Sequence, residues 1–258
     1  FGLLEQAREL HRATGGAFDI TIAPLMRCWG FVRDTGHFPE PDELAAARAK
    51  VGMDLVEFNA ADWTIRFRRE GVMLDLGAIG KGYALECAAE RLRDLEIASA
   101  LLHGGTSTVY ALGTQPDGQP WKVTIPHPVT GAAAFGLATA FAPAGHPAGD
   151  PPLAVVSLRD ESLSVSAVWG KAFEADGRIY GHVLDPRTGA PVVGAVLAAV
   201  VLPSATETDA LSTALLTLGI GGLETITALR PGARLLVAEP TGDRKDFAIR
   251  AQGISLLT

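Results

Sequence analysis

The sequence predicts an α+β fold, with a central mixed, mostly antiparallel sheet that is flanked by helices. Two observations favour this class. Strand patterns in the middle of the chain outnumber the helical patterns between them, unlike a regular alternation of strand and helix. The composition, 48% hydrophobic and 20% charged, can supply a sizeable core. We expect residues 1–258 to form one domain, with the functional site in a cleft between sheet and helices.

Helices are predicted where apolar residues recur at helical spacing. The first ends at Gly15 and Gly16, and the third begins with Pro41 followed by acidic residues, as is typical of helix ends. The predicted helices lie over 1–14, 24–29, 41–50, 206–218 and 222–229, and one more starts beside Lys81.

Strands are predicted from short alternating or continuously apolar runs between turn residues. Residues 195–202 are the most apolar run, so we expect that strand to be buried on both faces. Prolines and glycines over 142–152 predict a mobile surface loop. The predicted strands lie over 56–58, 63–67, 98–102, 109–112, 121–125, 135–141, 153–158, 162–166, 178–184, 195–202, 234–238 and 247–249.

Charge and composition argue against several classes of protein. The net charge of -7 argues against a nucleic-acid binder, which needs a basic face. No membrane span is expected, because the longest apolar stretch, residues 192–202, is too short. Cys28 and Cys87 lack metal-ligand spacing and are either paired or free, so they do not indicate a redox compartment.

A glycine-rich turn over 77–82 lies between a strand-like run and a helix. Free backbone amides at a helix start attract anions, and Lys81 adds a positive charge there. The turn is not a P-loop, because only two residues separate Gly77 from Gly80 and because Gly82 follows the lysine. It is either a phosphate-binding turn or a structural turn with a solvated lysine.

Asp209 and Thr213 are four residues apart in a predicted helix and therefore share a face. One carboxylate and one hydroxyl suit a magnesium ion that keeps water ligands and contacts a substrate phosphate. The spacing of Thr206 and Asp209 also resembles a capping box, which would give Asp209 a structural role. Considered alone, this spacing slightly favours the cap.

Two more polar residues have a structural and a functional interpretation. Asp19 precedes the second predicted helix, and in isolation the N-cap is the favoured interpretation. His182 precedes the turn that begins at Asp185 and Pro186. It is either a structural strand residue or a group that contacts a phosphate or relays a proton.

The order of these motifs resembles one enzyme family. Ala-Phe-Asp-Ile-Thr at 17–21 and Trp-Gly-Phe at 29–31 precede Asp-Leu-Gly-Ala-Ile-Gly-Lys-Gly-Tyr at 75–83 and Gly-Gly at 104–105. His-Val-Leu-Asp-Pro-Arg-Thr-Gly at 182–189 and Thr-Asp-Ala-Leu-Ser-Thr at 208–213 follow. From about residue 14 to its end, the chain is similar to the ApbE-like FAD:protein FMN transferases.

The resemblance implies a magnesium-dependent bacterial enzyme that moves FMN from FAD onto a threonine hydroxyl of a partner flavoprotein and releases AMP. His182 and Asp209 are its candidate proton acceptors. The implied FAD contacts are Ala17, Phe18, Asp19, Asp75, Lys81, His182 and Val183. The implied magnesium contacts are the carbonyl of Ala78 with Asp209, Ser212 and Thr213.

Two alternatives stay open for the same site: hydrolysis of FAD to FMN and AMP, and flavin binding without turnover. The resemblance implies a periplasmic or membrane-attached protein, and we expect the family's usual N-terminal segment to be missing here. Thr106-Ser107-Thr108 stands where the family often has Asp after the glycine pair. Ser166-Ala167 stands where the family often has Ser-Gly.

Overall fold

The structure, a computed structural model, describes residues 1–128, 152–169, 171–175, 178–241 and 246–257. The helices are α1 Gly2–Ala13, α2 Ala23–Cys28, α3 Pro41–Arg48, α4 Gly80–Asp94, α5 Ala205–Leu218 and α6 Gly222–Leu229, with 3₁₀ turns at Phe31–Arg33, Met53–Leu55 and Gly219–Gly221. The strands are β1 Val56–Asn59, β2 Thr64–Phe67, β3 Ala100–Gly104, β4 Thr108–Leu112, β5 Trp121–Ile125, β6 Ala154–Leu158, β7 Glu161–Ala167, β8 Ala172–Ala175, β9 Arg178–Gly181, β10 Leu197–Leu202, β11 Arg234–Pro240 and β12 Phe247–Gln252.

The central sheet has six strands in the order β12-β11-β10-β7-β4-β3. Each neighbouring pair in it is antiparallel. Three hairpins, β1–β2, β5–β6 and β8–β9, lie outside this sheet. The prediction of an α+β fold with a mostly antiparallel central sheet and flanking helices is therefore confirmed.

Strand β10 lies between two apolar cores. Ala198, Val200 and Leu202 pack on one face with residues of α1, α5 and α6. The other three residues of β10 pack on the opposite face with the β5–β6 hairpin. All six are buried, which confirms that this strand is covered on both faces.

Strand β7, beside β10, is apolar on only one face. Leu163 and Val165 belong to the core on the hairpin side. Ser164 and Ser166 contact Ser212 of α5, and strand alternation puts Ser162 on the same face. The sheet therefore presents a polar strip to α5 along β7.

Several predicted boundaries need correction. The predicted strand 178–184 ends at Gly181, because the pairing of β9 with β8 stops there, and Leu184 makes an isolated bridge with Pro191. Strand β8 was not predicted, since four residues of mixed polarity carry little periodic signal. The predicted strand over 135–141 lies outside the described residues, as do residues 142–151 of the predicted loop. Both cysteines are free.

One segment, Ala205–Leu229, has the length and hydropathy of a membrane-spanning helix. In this fold it forms α5, a 3₁₀ turn and α6, and half of its most apolar window is buried. Leu211 and Leu215 are fully buried in the core between the sheet and the helices. Core packing therefore accounts for the apolar character of this segment.

Candidate active site

A cavity of about 630 Å³ opens beside α5 and the start of α4. All the predicted site residues except Ser212 line it, so the fold brings together positions that are far apart in the sequence. The predicted residues on its wall are Ala17, Phe18, Asp19, Asp75, Ala78, Lys81, His182, Val183, Asp209 and Thr213.

The same cavity has an apolar part that the motifs did not predict. Ile22 and Met26 of the α2 region contribute to it, with Phe31, Val165 and Trp169. Trp169 and Phe31 are almost fully buried, so their rings form fixed walls. The cavity thus joins a polar end near Asp209 to a large apolar surface.

Asp209 carries a buried carboxylate, with only 2% of the residue exposed. Its Oδ2 accepts a hydrogen bond from the backbone amide of Gly82 at 3.0 Å. Its Oδ1 accepts one from the hydroxyl of Thr108 at 3.1 Å and lies 3.3 Å from Nζ of Lys81. These donors compensate the loss of water around the charge and hold the carboxylate in one position.

Asp209 is not a helix cap. The N-cap of α5 is Ser204, whose hydroxyl accepts a hydrogen bond from the amide of Glu207 at 3.2 Å. The alternative that Thr206 and Asp209 form a capping box is therefore wrong. The true cap begins two residues earlier, which leaves Asp209 inside the helix and pointed at the cavity.

The first turn of α4 is occupied by protein groups. The amide of Gly80 donates to the carbonyl of Leu76 at 2.7 Å, and the amide of Gly82 donates to Asp209. Nζ of Lys81 donates to the carbonyl of Gly77 at 2.6 Å besides its contact with Asp209. Lys81 is therefore bound to protein oxygens although its side chain is 37% exposed, and the anion at this helix start is a carboxylate of the protein itself.

The crossing of α4 and α5 fixes the distance between Lys81 and Asp209. A side chain at Gly82 would begin 2.1 Å from the carbonyl oxygen of Ala205, so only glycine permits this approach. Oε2 of Glu86 accepts hydrogen bonds from the Ser204 hydroxyl and the Thr206 amide, both at 2.8 Å. One glycine and one carboxylate of α4 therefore position the start of α5.

A chain of hydroxyl contacts lies behind Asp209. We call its five residues the hydroxyl relay: Thr108, Ser164, Ser212, Ser166 and Thr213. Ser212 is fully buried and does not reach the cavity, so it supports the site from behind. Thr213 and Ser166, at the far end, do line the cavity.

Asp19 forms a turn at the cavity wall. Its Oδ1 accepts hydrogen bonds from the amide and the hydroxyl of Thr21, at 2.7 and 2.6 Å. The N-cap interpretation is wrong, because α2 begins after Ile22 and has no side-chain cap. Nδ1 of His11 lies 3.2 Å from Oδ2 of Asp19 and 3.0 Å from the carbonyl of Phe18.

The pair of His11 and Asp19 is electrostatically coupled. Burial works to lower the pKa of the His11 imidazole, but the hydrogen bond and charge of Asp19 outweigh it. The net result is a pKa above the ordinary value of 6.5. A histidine that sequence reasoning did not select thus supports a predicted FAD contact.

His182 presents one ring nitrogen to a fixed partner. Its Nδ1 lies 3.1 Å from the carbonyl of Lys171, and since a carbonyl only accepts, Nδ1 carries the hydrogen. In neutral imidazole Nε2 is then the acceptor, and it has no hydrogen-bond partner within the described parts of the chain. Burial lowers the pKa of His182 below 6.5, and the charges of Lys171 and Lys81 add to that shift although the hydrogen bond to the Lys171 carbonyl opposes it.

The predicted turn at 185–189 is confirmed. Oδ1 of Asp185 accepts from the Arg187 amide at 2.9 Å, and the Gly189 amide donates to the Asp185 carbonyl at 2.8 Å. Nε1 of Trp29 donates to the carbonyl of Gly189 at 2.8 Å. This bond ties two of the motifs together, although they lie 160 positions apart in the sequence.

Sequence reasoning missed the hydroxyl side of the site. Thr108 and Ser164 are fully buried and connect to Asp209, yet the motifs assign no role to either residue. A signal was present, since serine recurs at 162, 164 and 166 in an otherwise apolar strand. Alternation identified the strand but not that its serines face α5.

Comparison with known proteins identifies relatives that cover most of this chain. The chain is 30% identical over 222 residues to the FAD:protein FMN transferase of Salmonella typhimurium, and this match covers 84% of the chain but 58% of that protein. It is also 30% identical over 222 residues to the protein of that name from Haemophilus influenzae, covering 84% of the chain and 59% of that protein. The chain thus spans less than two thirds of these relatives.

Solved structures show the same fold. The crystal structure of the ApbE protein of Thermotoga maritima superposes with a TM-score of 0.80 at 26% identity, covering 98% of this chain and 75% of that one. The apo flavinyl transferase ApbE of Pseudomonas stutzeri gives a TM-score of 0.77 at 29% identity, covering 98% and 72%. The sequence model of the ApbE family matches residues 1–237, and the chain therefore belongs to the ApbE family.

Proposed function

We propose that this chain transfers the FMN moiety of FAD onto a threonine hydroxyl of a partner flavoprotein, releases AMP, and depends on magnesium. One observation carries the proposal: a single cavity holds the buried carboxylate of Asp209, the ammonium of Lys81 and the accepting imidazole of His182. The names of the relatives described above support the choice of FAD as the donor.

The polar end of the cavity fits a hard divalent cation. The available donors are a carboxylate, a hydroxyl and a carbonyl, from Asp209, Thr213 and Ala78, all on the cavity wall. No group of three His, Cys, Asp or Glu side chains lies together in the residues that the structure describes. A site with one carboxylate suits magnesium, which keeps several waters and contacts substrate phosphate.

When bound, magnesium would neutralise charge on the pyrophosphate and on the departing AMP phosphate. Lys81 would share that task, since its Nζ is held near the carboxylate of Asp209 and its side chain is 37% exposed. Positioning and charge stabilisation are the main contributions that phosphoryl transfer needs from a protein.

His182 is the better of the two predicted proton acceptors. Asp209 already accepts hydrogen bonds from Gly82 and Thr108, and a cation bound to its carboxylate would make it a still weaker base. His182 keeps Nε2 free in the neutral form, and its lowered pKa maintains that form at neutral pH. In the proposed step, Nε2 takes the threonine proton, the threonine oxygen bonds to the FMN phosphorus, and the bond from that phosphorus to the AMP phosphate oxygen breaks.

The apolar part of the cavity suits the flavin ring. Trp169, Phe31 and Met26 offer flat or adaptable apolar surface a short distance from the polar end. A ligand with an aromatic ring at one end and a pyrophosphate further along, as in FAD, matches this division.

The test follows AMP release and covalent flavin together. Protein, FAD and magnesium would be incubated with and without a threonine-containing flavoprotein domain, followed by AMP quantification and in-gel flavin fluorescence. The proposal expects AMP only with the acceptor, in equal amount to covalent flavin. Fast AMP release without any acceptor would instead establish an FAD hydrolase, and stable FAD retention without AMP would establish a flavin-binding protein.

A further inference from the structure

The hydroxyl relay joins Asp209 to Thr213 through groups that the proposed chemistry does not consume. Thr108 Oγ1 is 3.0 Å from Ser164 Oγ, and Ser164 Oγ is 3.2 Å from Ser212 Oγ. Ser212 Oγ is 2.8 Å from Ser166 Oγ, which is 3.2 Å from Thr213 Oγ1. One end of the relay, Thr213, lies on the cavity wall. The other end, Thr108, donates a hydrogen bond to Asp209, which also lies on that wall.

The number of hydroxyl hydrogens determines which residue donates and which accepts at each contact of the relay. A hydroxyl has one hydrogen, and a carboxylate only accepts, so Thr108 donates to Asp209 and has no hydrogen left for Ser164. Ser164 must therefore donate to Thr108 at their 3.0 Å contact. Ser212, in turn, is the donor toward Ser164.

The backbone carbonyl of Asp209 is a second acceptor, and it leads independently to the same assignment of donors and acceptors. The backbone carbonyl of Asp209 lies 2.9 Å from Ser212 Oγ, and a carbonyl can only accept. Whether the single hydrogen of Ser212 points to this carbonyl or to Ser164, none is left for Ser166. Ser166 must then donate to Ser212, and Thr213 must donate to Ser166.

We propose that Ser166 and Ser212 are positioning residues that orient the Thr213 hydroxyl, with its hydrogen toward Ser166 and its lone pairs toward the cavity. The inference rests on the proposed function, because a cation at the cavity wall is what would use those lone pairs. A hydroxyl held in this rotamer offers a hard cation an oxygen without first turning its hydrogen away. Ser212 does not reach the cavity wall, and both serines would act on the cation only through Thr213.

The experiment measures cation affinity directly. Mn²⁺, a divalent cation that accepts the same oxygen ligands as magnesium, would be titrated into protein saturated with FAD while free Mn²⁺ is followed by electron paramagnetic resonance. Ser166→Ala and Ser212→Ala should each raise the Mn²⁺ dissociation constant about threefold to tenfold, the equivalent of one hydrogen bond.

The controls separate orientation from general damage. Ser162 lies on the same face of β7, is fully buried and donates to the Val109 carbonyl at 2.8 Å, so Ser162→Ala removes a comparable bond outside the relay. It should leave the dissociation constant unchanged. Ser166→Thr keeps a hydroxyl and should retain affinity. In a Thr213→Val background, Ser166→Ala should cause no additional loss.

Each outcome is decisive. If Ser166→Ala binds Mn²⁺ as Ser162→Ala does, the orienting role is overturned while the proposed metal site stands. A further loss in the Thr213→Val background would also overturn it, because the effect would not pass through Thr213. If wild-type protein with FAD binds no Mn²⁺, the metal site of the proposed function fails, and the role assigned to the relay fails for that separate reason.

Discussion

Strands β7 and β10 lie side by side under α5, and yet they present opposite chemistry to it. In the antiparallel register Val200 stands opposite Ser164, Ala198 opposite Ser166, and Leu202 opposite Ser162. The residues of β10 bury apolar area against the helix, which is the main source of stability in a core. The serines of β7 use the same kind of position to satisfy hydrogen bonds near Asp209.

This difference indicates that β10 contributes mainly to the stability of the fold, whereas β7 contributes mainly to the geometry of the site. A buried polar group needs a partner to offset its desolvation, so a polar strip in a core is maintained only at some cost in stability. The serines of β7 lower the stability of the core in this way, but through the hydroxyl relay they hold Asp209 and Thr213 in defined positions. Variants on the two strands should therefore act on different measurements.

The largest effect is expected for Asp209→Asn. Asn keeps the size of the side chain and one accepting oxygen but loses the charge, and it is a poorer ligand for a hard cation. We expect AMP release from FAD to slow at least ~100-fold, a loss of about 2.7 kcal/mol in transition-state stabilisation. The melting temperature should stay within about 5 °C of wild type.

Ser204→Ala is the matched control on the same helix. It removes the true N-cap, so it should cost about 0.5–2 kcal/mol of stability and leave AMP release in place. AMP release and melting curves measured over a range of magnesium concentrations compare both variants. Wild-type turnover and wild-type magnesium dependence in Asp209→Asn would refute the metal assignment.

Val200→Ala tests how much the apolar strand β10 contributes to stability. Val200 is fully buried between α5 and the sheet, and removing two methyl groups leaves a cavity there. The free energy of unfolding should fall by about 2 kcal/mol. Chemical denaturation measures that loss, and AMP release at a temperature where the variant is folded should equal that of wild type. A large loss of turnover in the folded variant would contradict the separation of the two strands.

Lys81→Ala removes the ammonium that lies 3.3 Å from Oδ1 of Asp209. Removal of the ammonium should weaken FAD binding by about fivefold, comparable to one exposed charged contact. The binding that remains should depend less on salt, because one screened attraction is gone. Fluorescence titration at low and high salt tests this, with Lys122→Ala on the exposed side of β5 as control. If the affinity for FAD at low salt is unchanged in this variant, Lys81 is not part of the binding site.

The smallest expected effect is a shift in pH dependence. Burial lowers the pKa of His182, so the neutral, proton-accepting form should persist below pH 6.5 and the acid limb of AMP release should lie below that value. The charge of Lys171 contributes to the lowering, so Lys171→Met should move this limb upward by a fraction of a pH unit. Rate profiles of both proteins test this; an acid limb above pH 6.5 in wild type would exclude His182 as the proton acceptor.

Prediction from sequence succeeded where a pattern of residues is compatible with only one kind of structure. The continuous apolar run of β10 is of this kind, because it is buried on both faces as expected. Prediction failed at the start of α5, where the spacing of Thr206 and Asp209 suggested a capping box and Ser204 was not considered, because only the backbone geometry shows which residue precedes the first helical turn. It also failed for Thr108 and Ser164, whose role depends on the side of the sheet that α5 covers, a property of tertiary packing.

The close crossing at Gly82 has a consequence for synthesis of the chain. The hydrogen bond from its amide to Asp209 joins residues 127 positions apart. At a ribosomal rate of about 5–20 residues per second, roughly 6–25 seconds separate the emergence of the two partners. During that interval the start of α4 has neither its carboxylate nor its covering helix, so the nascent chain exposes a half-built site until α5 arrives.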